Sequence, residues 1–319
     1  MAAEASFQAR FHRRWEALRN PHVRALAWLL DAPDLLDAAA PRWQGRIAQL
    51  PAHAADDARD WLLQLDAQPG ALETFLGVHP LTRLGRYAEN LLAWYFDHLG
   101  ILVAHGLQVR AGKDATIGEF DFLLRDGEAL LHWEFATKFY LLWSDDPALA
   151  NVQQADYFVG PNLSDTLGKK IRKTFDRQLH LGSHPAAQAL LPQPLAGAQA
   201  LMKGWLFYRR GEAPPVLQAG VSPQHCRGWW CTLNELGSHV GERAAIIPRL
   251  AWMAPARLSD EQAQPRATLT EALRQGFGRD PMPVMVAALQ RHGDEWLETE
   301  RGFVVPDQWP LAAGERFGK

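Results

Sequence analysis

The stretch that most constrains the fold runs from residue 117 to residue 140, with the sequence IGEFDFLLRDGEALLHWEFATKFY. Apolar and polar residues alternate in two runs, 117–124 and 130–139, as in strands with one apolar and one polar face. The Asp126-Gly127 pair between the runs is typical of a two-residue hairpin turn, whose central residues need positive φ. The stretch is therefore predicted to form a β-hairpin.

The polar face of this hairpin is dense in titratable side chains: Glu119 and Asp121 on the first strand, and His132, Glu134 and Lys138 on the second. If the DG pair occupies the two central turn positions, Asp121 faces His132. Glu119 then faces Glu134, and Asp121 lies diagonally from Glu134. Like charges opposite each other destabilise a sheet, so the cluster is expected either in open water or around a cation. Mg²⁺ typically binds one or two carboxylates together with water and substrate phosphates.

These residues resemble the core of the PD-(D/E)XK nuclease superfamily, in which an acid on one strand precedes an acid and a lysine on the next. That superfamily usually adds a glutamate on a preceding helix, and Glu89 in RYAENLL fits this place. The segments GRYAENLLAWYF, GEFDFLL and HWEFATKFYL are more closely similar to a bacterial family of unknown function, domain-of-unknown-function family 1853. The similarity to this family extends over most of the chain, whereas the nuclease-like part covers about residues 81–178.

The resemblance implies a metal-dependent site. Its catalytic residues would be Glu89, Asp121, Glu134 and Lys138. Its metal ligands would be Asp121, Glu134, Glu119 and His132, and its cofactor Mg²⁺, with Mn²⁺ as the alternative. In the superfamily's chemistry the metal polarises the phosphate and lowers the pKa of its water. The lysine orients or activates that water, or stabilises the developing charge.

One position departs from the superfamily pattern. The second acid normally lies two residues before the lysine, where this chain has Ala136. Glu134 lies four residues before Lys138 and on the same face of the strand. Either the acid has migrated by one pleat, or the site has lost its chemistry.

The most basic stretch of the chain follows the hairpin. A helix is predicted over residues 165–181 with Ser164 as its N-cap. Its candidate nucleic-acid-binding residues are Lys169, Lys170, Arg172, Lys173 and Arg177. A solvated helix face with internal ion pairs is one interpretation, and contact with a nucleic-acid backbone is the other.

Composition limits the alternatives. The chain has 319 residues, 47% hydrophobic and 22% charged, which is a globular balance with ample core. A net charge of −3 argues against a tight non-specific nucleic-acid binder, so binding would need a local basic patch. The two cysteines have no histidines at zinc-finger spacing, which favours thiols in a reducing compartment. With no signal peptide and no apolar run of membrane length in the sequence, we expect a cytoplasmic protein without a membrane partner.

The predicted fold is α/β, with a central mixed β-sheet, flanking helices and a restriction-endonuclease-like core. Residues 1–80 are predicted to form a helical N-terminal extension, 81–182 the core, and 183–319 an α/β C-terminal extension completing the same fold. A helix over 84–99 and a strand over 101–109 are expected before the hairpin. Strands are expected at 201–209, 228–233 and 303–306, and helices at 269–276 and 284–289.

Two functions compete for this chain. The first is metal-dependent hydrolysis of phosphodiester bonds in nucleic acid. The second is a catalytically inactive nuclease-fold module that binds nucleic acid or a protein partner, which Ala136, the net charge and the thirteen tryptophans favour. A weaker third candidate is a two-carboxylate sugar or phosphate hydrolase, although no sugar platform is evident. A homo-oligomer is left open.

Geometry can separate the first two functions. Carboxylate oxygens of Asp121 and Glu134 within about 4 Å of each other would favour the enzyme. An ion pair of Lys138 with Glu119 or Glu134 would favour the binding module.

Overall fold

The computed structural model describes residues 6–77, 83–112, 115–143, 154–212 and 220–317. Within these ranges the helices are α1 Phe7–Arg14, α2 Pro21–Asp31, α3 Ala54–Asp57, α4 Arg59–Ala67, α5 Gly70–Gly77, α6 Leu84–His98, α7 Leu167–Asp176, α8 Pro185–Gln188, α9 Arg266–Arg279 and α10 Trp309–Phe317. The strands are β1 Leu102–Arg110, β2 Thr116–Asp126, β3 Ala129–Leu142, β4 Phe158–Val159, β5 Leu195–Arg209, β6 Cys226–Thr232, β7 Arg243–Ile246, β8 Arg257–Leu258, β9 Gln264–Pro265, β10 Val284–His292 and β11 Glu295–Val305.

The strands join in one mixed sheet, in the order β1-β2-β3-β5-β6-β11-β10-β7-β9. β1, β2 and β3 are mutually antiparallel, and β5, β6 and β11 then follow parallel to β3. β10, β7 and β9 complete the sheet with antiparallel pairs. The prediction of a central mixed sheet with flanking helices is confirmed.

The two faces of β3 pack against different helices. Phe135 and Phe139 belong to the hydrophobic cluster that contains the buried residues of α6, among them Phe96. Ala136 and Tyr140 belong to the cluster that contains the buried residues of α7. This alternation follows from the period of two along a strand. Phe122 and Leu124 of β2 share the predicted apolar face with Phe135 and Phe139, whereas Phe120, predicted on that face, lies with Leu123 in another cluster.

The hairpin turn differs from its prediction by one pair. Asp126 pairs with Ala129, so the two central residues are Gly127 and Glu128. Gly127 at the first central position has a φ of +57°, and Glu128 at the second is not among the described non-glycine residues with positive φ, as in a type II′ turn, whereas positive φ was expected at both positions. The prediction that Asp121 faces His132 is therefore wrong, because His132 pairs with Leu123.

Two other local predictions are wrong. Residues 284–289, expected to be helical, lie in β10, because a short continuous apolar run fits a strand buried between two neighbours equally well. The basic helix α7 begins at Leu167, and its N-cap is Thr166, whose hydroxyl accepts the N–H of Lys169 at 3.1 Å, in place of Ser164. Of the helices within the described ranges, none combines the length and apolar character needed to cross a bilayer.

Candidate metal centre

The hairpin opens into a fork at Asp121. The ladder of paired residues between β2 and β3 ends at Phe122 and Trp133, the last pair recorded between the described residues of the two strands. Just beyond it, Oδ2 of Asp121 accepts the backbone N–H of Phe135 at 2.9 Å. The Asp121 side chain thus binds a strand donor next to the end of the ladder, which fixes the orientation of its carboxylate.

A cleft of about 1030 Å³ lies at this fork. Its walls come from the start of α6, both hairpin strands, the segment around α7, and the segments that follow β7 and precede β10. The charged side chains in its lining are Arg83, Arg86, Glu89, Glu119, Asp121, Glu134, Lys138, Asp165, Lys170, Arg249 and Asp280. Most of the residues predicted from the sequence for the catalytic site therefore share one cavity.

Four carboxyl groups, those of Glu89, Glu119, Asp121 and Glu134, lie side by side in the lining of the cleft, and we call them the carboxylate row. Glu89, Glu119 and Asp121 each offer an oxygen within 4.8 Å of the others. Glu134, whose side chain is only 2% exposed, lines the same cleft, and it lies close enough to Asp121 for the charge of Asp121 to raise its pKa. A buried fourth acid therefore adjoins the three whose oxygens converge.

Burial and like charge act together on the row. Burial raises the pKa of Glu134, and the neighbouring charge of Asp121 raises it further. The pKa of Asp121 is also raised, first by burial and then by the charge of Glu89, although the N–H of Phe135 opposes the shift. The pair therefore retains a proton to a higher pH than two isolated carboxyl groups would.

Cations lie at both ends of the carboxylate row. At one end, Nη1 of Arg86 lies 2.5 Å from Oε1 of Glu89 and 3.1 Å from Oε1 of Glu119. At the other end, Nζ of Lys170 lies 3.4 Å from Oε1 of Glu134. With all four acids ionised, two permanent cations leave the row a formal charge of −2, which suits a divalent ion.

The amide of Gln178 also contacts the row. Its Nε2 donates a short hydrogen bond to Oε1 of Glu134, and its Oε1 accepts from Lys170 at 3.2 Å and from Thr174 at 3.2 Å. These two donors fix which end of the amide faces Glu134. Gln178 and Lys170 therefore hold the innermost acid in one orientation.

Lys138 lines the cleft but is paired outside the row. Its Nζ lies 3.2 Å from Oδ2 of Asp165, and the same oxygen accepts the hydroxyl of Tyr140 at 2.8 Å. Burial lowers the pKa of the Lys138 ammonium, with the charge of Asp165 acting against this. Among the contacts of the described residues, Lys138 pairs with neither Glu119 nor Glu134, so the geometry expected of a binding module is not met.

His132 occupies a different environment from the other candidate ligands. It is fully buried, with Nε2 3.9 Å from Oε2 of Glu134 and its ring edge-on to Phe120. Burial lowers its pKa to about 4. The imidazole is thus a neutral neighbour of the row inside the core, outside the lining of the cleft.

The basic residues of α7 point in different directions. The Lys170 side chain is 12% exposed and faces the carboxylate row. Arg172 forms two hydrogen bonds with Asp156, at 2.9 and 2.7 Å. Lys169, Lys173 and Arg177 are exposed. The helix and its C-cap therefore carry four exposed basic side chains, Arg172 among them with a carboxylate partner, whereas the most buried lysine of the helix belongs to the cleft.

Sequence reasoning missed several residues of the cleft, among them Arg86, Asp165 and Gln178, and it missed the inward role of Lys170. Arg86 had a detectable signal, since it lies three residues before Glu89 on the same helix and so on the same side. Gln178 had none, because it follows the end of α7 in a separate 3₁₀ helix, Gln178–Ser183.

Comparison with known proteins gives one result. No curated protein matches the chain, and no solved structure matches its fold. A family model described as a domain of unknown function, DUF1853, matches residues 24–305, from α2 to the end of β11. The chain with this fork and carboxylate row therefore belongs to the DUF1853 family.

Proposed function

We propose that the protein is a divalent-metal-dependent phosphodiesterase acting on nucleic acid, built on a restriction-endonuclease-like core. The observation that carries the proposal is the carboxylate row: three acids converge in an open cleft, and a fourth, Glu134, is buried beside them with its pKa raised by burial and by the charge of Asp121. Buried acids of one sign are costly unless a proton or a cation lies between them. Because these acids line an open cleft that an ion can enter, a cation is the alternative that we favour.

The donor set fits a hard cation. Carboxylate oxygens are the ligands that Mg²⁺ and Mn²⁺ prefer, and Asp121, Glu134, Glu89 and Glu119 would hold the ion. When bound, such an ion polarises a phosphate and lowers the pKa of a coordinated water. The N–H of Phe135 fixes the Asp121 carboxylate, and Lys170 and Gln178 fix Glu134. The ligands are therefore oriented before an ion arrives.

Other side chains would act on the substrate. Lys138, held by Asp165, presents a cation in the cleft that would stabilise negative charge developing on a phosphate. Lys169, Lys173 and Arg177 would contact the backbone of a nucleic-acid strand at the edge of the cleft. The acid on the preceding helix, Glu89, lies with the two hairpin acids, as the resemblance to the nuclease superfamily implies.

A second candidate is a catalytically inactive module of the same fold that binds nucleic acid or a protein. One observation favours it: Ala136 stands where the superfamily has an acid. Under this alternative the carboxylate row holds an ion or a proton without hydrolysis.

Metal binding and cleavage assays on matched variants test the proposal. We expect the parent to bind Mn²⁺ or Mg²⁺ in calorimetry and to cleave DNA or RNA only with the ion present. Asp121→Asn and Glu134→Gln should lose both properties, and Lys138→Met should lose cleavage while keeping metal binding. Glu128→Gln, an exposed acid at the tip of the same hairpin, is the control and should behave as the parent. A parent that binds nucleic acid without cleaving it supports the second candidate, and a parent that binds no metal overturns the enzyme.

A further inference from the structure

The two cations at the ends of the carboxylate row differ in their freedom to move. Lys170 is 12% exposed and is held by both Glu134 and Gln178. The Arg86 side chain is 47% exposed and lines the open cleft. Of the two cations, Arg86 is therefore the one that can leave the carboxylate row and turn toward solvent.

Arg86 occupies the side of the row that a metal would use. One guanidinium nitrogen contacts Oε1 of both Glu89 and Glu119, two of the three acids whose oxygens converge. A divalent ion bound by those oxygens would bring like charges within a few ångströms, where Coulomb repulsion is strong. The ion and the present position of Arg86 are thus mutually exclusive.

The neighbouring strand leaves room for this guanidinium. Gly106 on β1 has a φ of +62°, and a Cβ there would lie 3.3 Å from Nη2 of Arg86 and 3.4 Å from Oε1 of Glu119. A side chain at this position would therefore crowd the guanidinium against the acid. Because Gly106 has no side chain, the guanidinium group of Arg86 has space beside Glu119.

We propose that Arg86 is a substrate-binding residue with two positions: it pairs with Glu89 and Glu119 while the row is free of metal, and it binds a backbone phosphate of the substrate once metal displaces it. This inference rests on the proposed function. The guanidinium group suits the second position, because its donors match two phosphate oxygens at once. Metal binding then creates a phosphate contact, so metal and nucleic acid strengthen each other's binding.

Arg86→Met gives this inference an unusual signature. Without nucleic acid, calorimetry should show Mn²⁺ binding more tightly than in the parent, by roughly 3-fold or more, because a competing cation is gone. With Ca²⁺ bound, the affinity for a labelled DNA or RNA oligonucleotide, measured by fluorescence anisotropy, should fall by roughly 3- to 10-fold. Arg86→Lys should recover part of the nucleic-acid affinity, because it restores the charge without the two-pronged contact.

Arg83 provides the matched control. It is an exposed arginine that precedes α6 and lines the same cleft, and no described contact joins it to Glu89 or Glu119. Arg83→Met should weaken oligonucleotide binding while leaving the Mn²⁺ affinity close to that of the parent. A change of Mn²⁺ affinity in Arg86→Met but not in Arg83→Met would show that Arg86 itself competes with the metal, and that the loss of any positive charge near the cleft does not have the same effect.

Three outcomes decide the question. Opposite changes in metal and oligonucleotide affinity support the inference. A fall in both affinities together with a lower melting temperature makes Arg86 a structural clamp and overturns it, as does an unchanged metal affinity. A parent that binds no metal overturns the proposed function, and the inference with it.

Discussion

The protein buries two groups of charged side chains that balance their charge in opposite ways. Arg301 and Glu298 on β11 are both fully buried, and two guanidinium nitrogens donate to the two carboxylate oxygens at 2.6 and 2.8 Å. Arg301 also donates to the backbone carbonyl groups of residues 252–254 and lies 4.3 Å above the ring of Trp205. This group is complete without any partner from solution.

The carboxylate row has no such balance. Asp121 and Glu134 are neighbouring acids of the same sign, and both line a cleft. Fully paired buried charges hold a fold in place, whereas buried like charges on a cleft wall need a proton or a ligand from outside. The comparison assigns the first group to stability and the second to function, and four experiments can break or sharpen it.

The largest effect is expected from the paired group. Arg301→Met should lower the free energy of unfolding by about 3–5 kcal/mol, since it leaves Glu298 buried without its cation. The control is Arg210→Met, which breaks a partly exposed pair with Glu300 on the same strand and should cost less than about 1 kcal/mol. Urea unfolding measures both, and equal losses would remove the distinction between buried and exposed pairs.

The second effect concerns pH. Burial and the charge of Asp121 raise the pKa of Glu134 from 4.5 to about 8, so the folded state keeps a proton that the unfolded chain has lost. The free energy of unfolding should therefore fall as pH rises toward about 8, by about 1–3 kcal/mol. Buried His12, His132 and His225, with pKa values lowered to about 4, act in the opposite direction, but only below about pH 6.5.

The window from about pH 6.5 to about 8 therefore isolates the carboxyl pair. Urea melts in chelator across this window should show a declining parent and a flatter Glu134→Gln variant. If the free energy of unfolding of the parent and of the Glu134→Gln variant changed in parallel with pH, the charge of the carboxyl pair would already be neutralised within the protein.

A smaller effect is expected at fixed pH. In chelator at pH 8, Asp121→Asn should be more stable than the parent by about 1–2 kcal/mol, because it removes one of two like charges and keeps an acceptor for Phe135. Millimolar Mn²⁺ should raise the melting temperature of the parent and have less effect on the variant. A variant that melts below the parent in chelator would place Asp121 with Arg301 among the purely structural groups.

The smallest effect separates two lysines of α7. If the protein binds nucleic acid, replacing exposed Lys173 with glutamine should reduce the slope of log affinity against log salt by about one unit. The same change at Lys170, which faces Glu134, should leave that slope nearly unchanged. Fluorescence anisotropy over a salt series measures both, and an unchanged slope for Lys173→Gln would assign the exposed face of α7 to solvent.

The sequence predicted the parts of this molecule that short patterns determine. Alternation with period two identified the hairpin strands and the apolar face around Phe122 and Phe135, because every second residue of a strand meets the same neighbours, but it misplaced Phe120. It could not identify β10, where both faces are buried and Val284 begins a run without alternation. The register failed by one pair, because a glycine such as Gly127 suits either central position of a two-residue turn.

Apart from Glu89, which the resemblance to the nuclease superfamily supplied, the site was predicted only where its residues lie close in the chain. Asp121 and Glu134 belong to one hairpin, so their convergence follows from local geometry. Lys170 and Gln178 reach Glu134 from 36 and 44 residues away, and this depends on how α7 packs on the sheet. No spacing rule in a single sequence encodes such a contact.

The pairing of β3 sets an order in which the site assembles. Its contact with β2 is local, whereas its parallel contact with β5 joins Leu130 to Leu195 and must close a long loop. Local hairpins form faster than distant strand pairs, so Asp121 and Glu134 meet before Lys170 and Gln178 arrive. During refolding the two acids are therefore opposed without their counterion, and their repulsion adds to the folding barrier. A divalent ion should accelerate refolding of the parent and leave Asp121→Asn unaffected, which would make the metal an aid to folding as well as a cofactor.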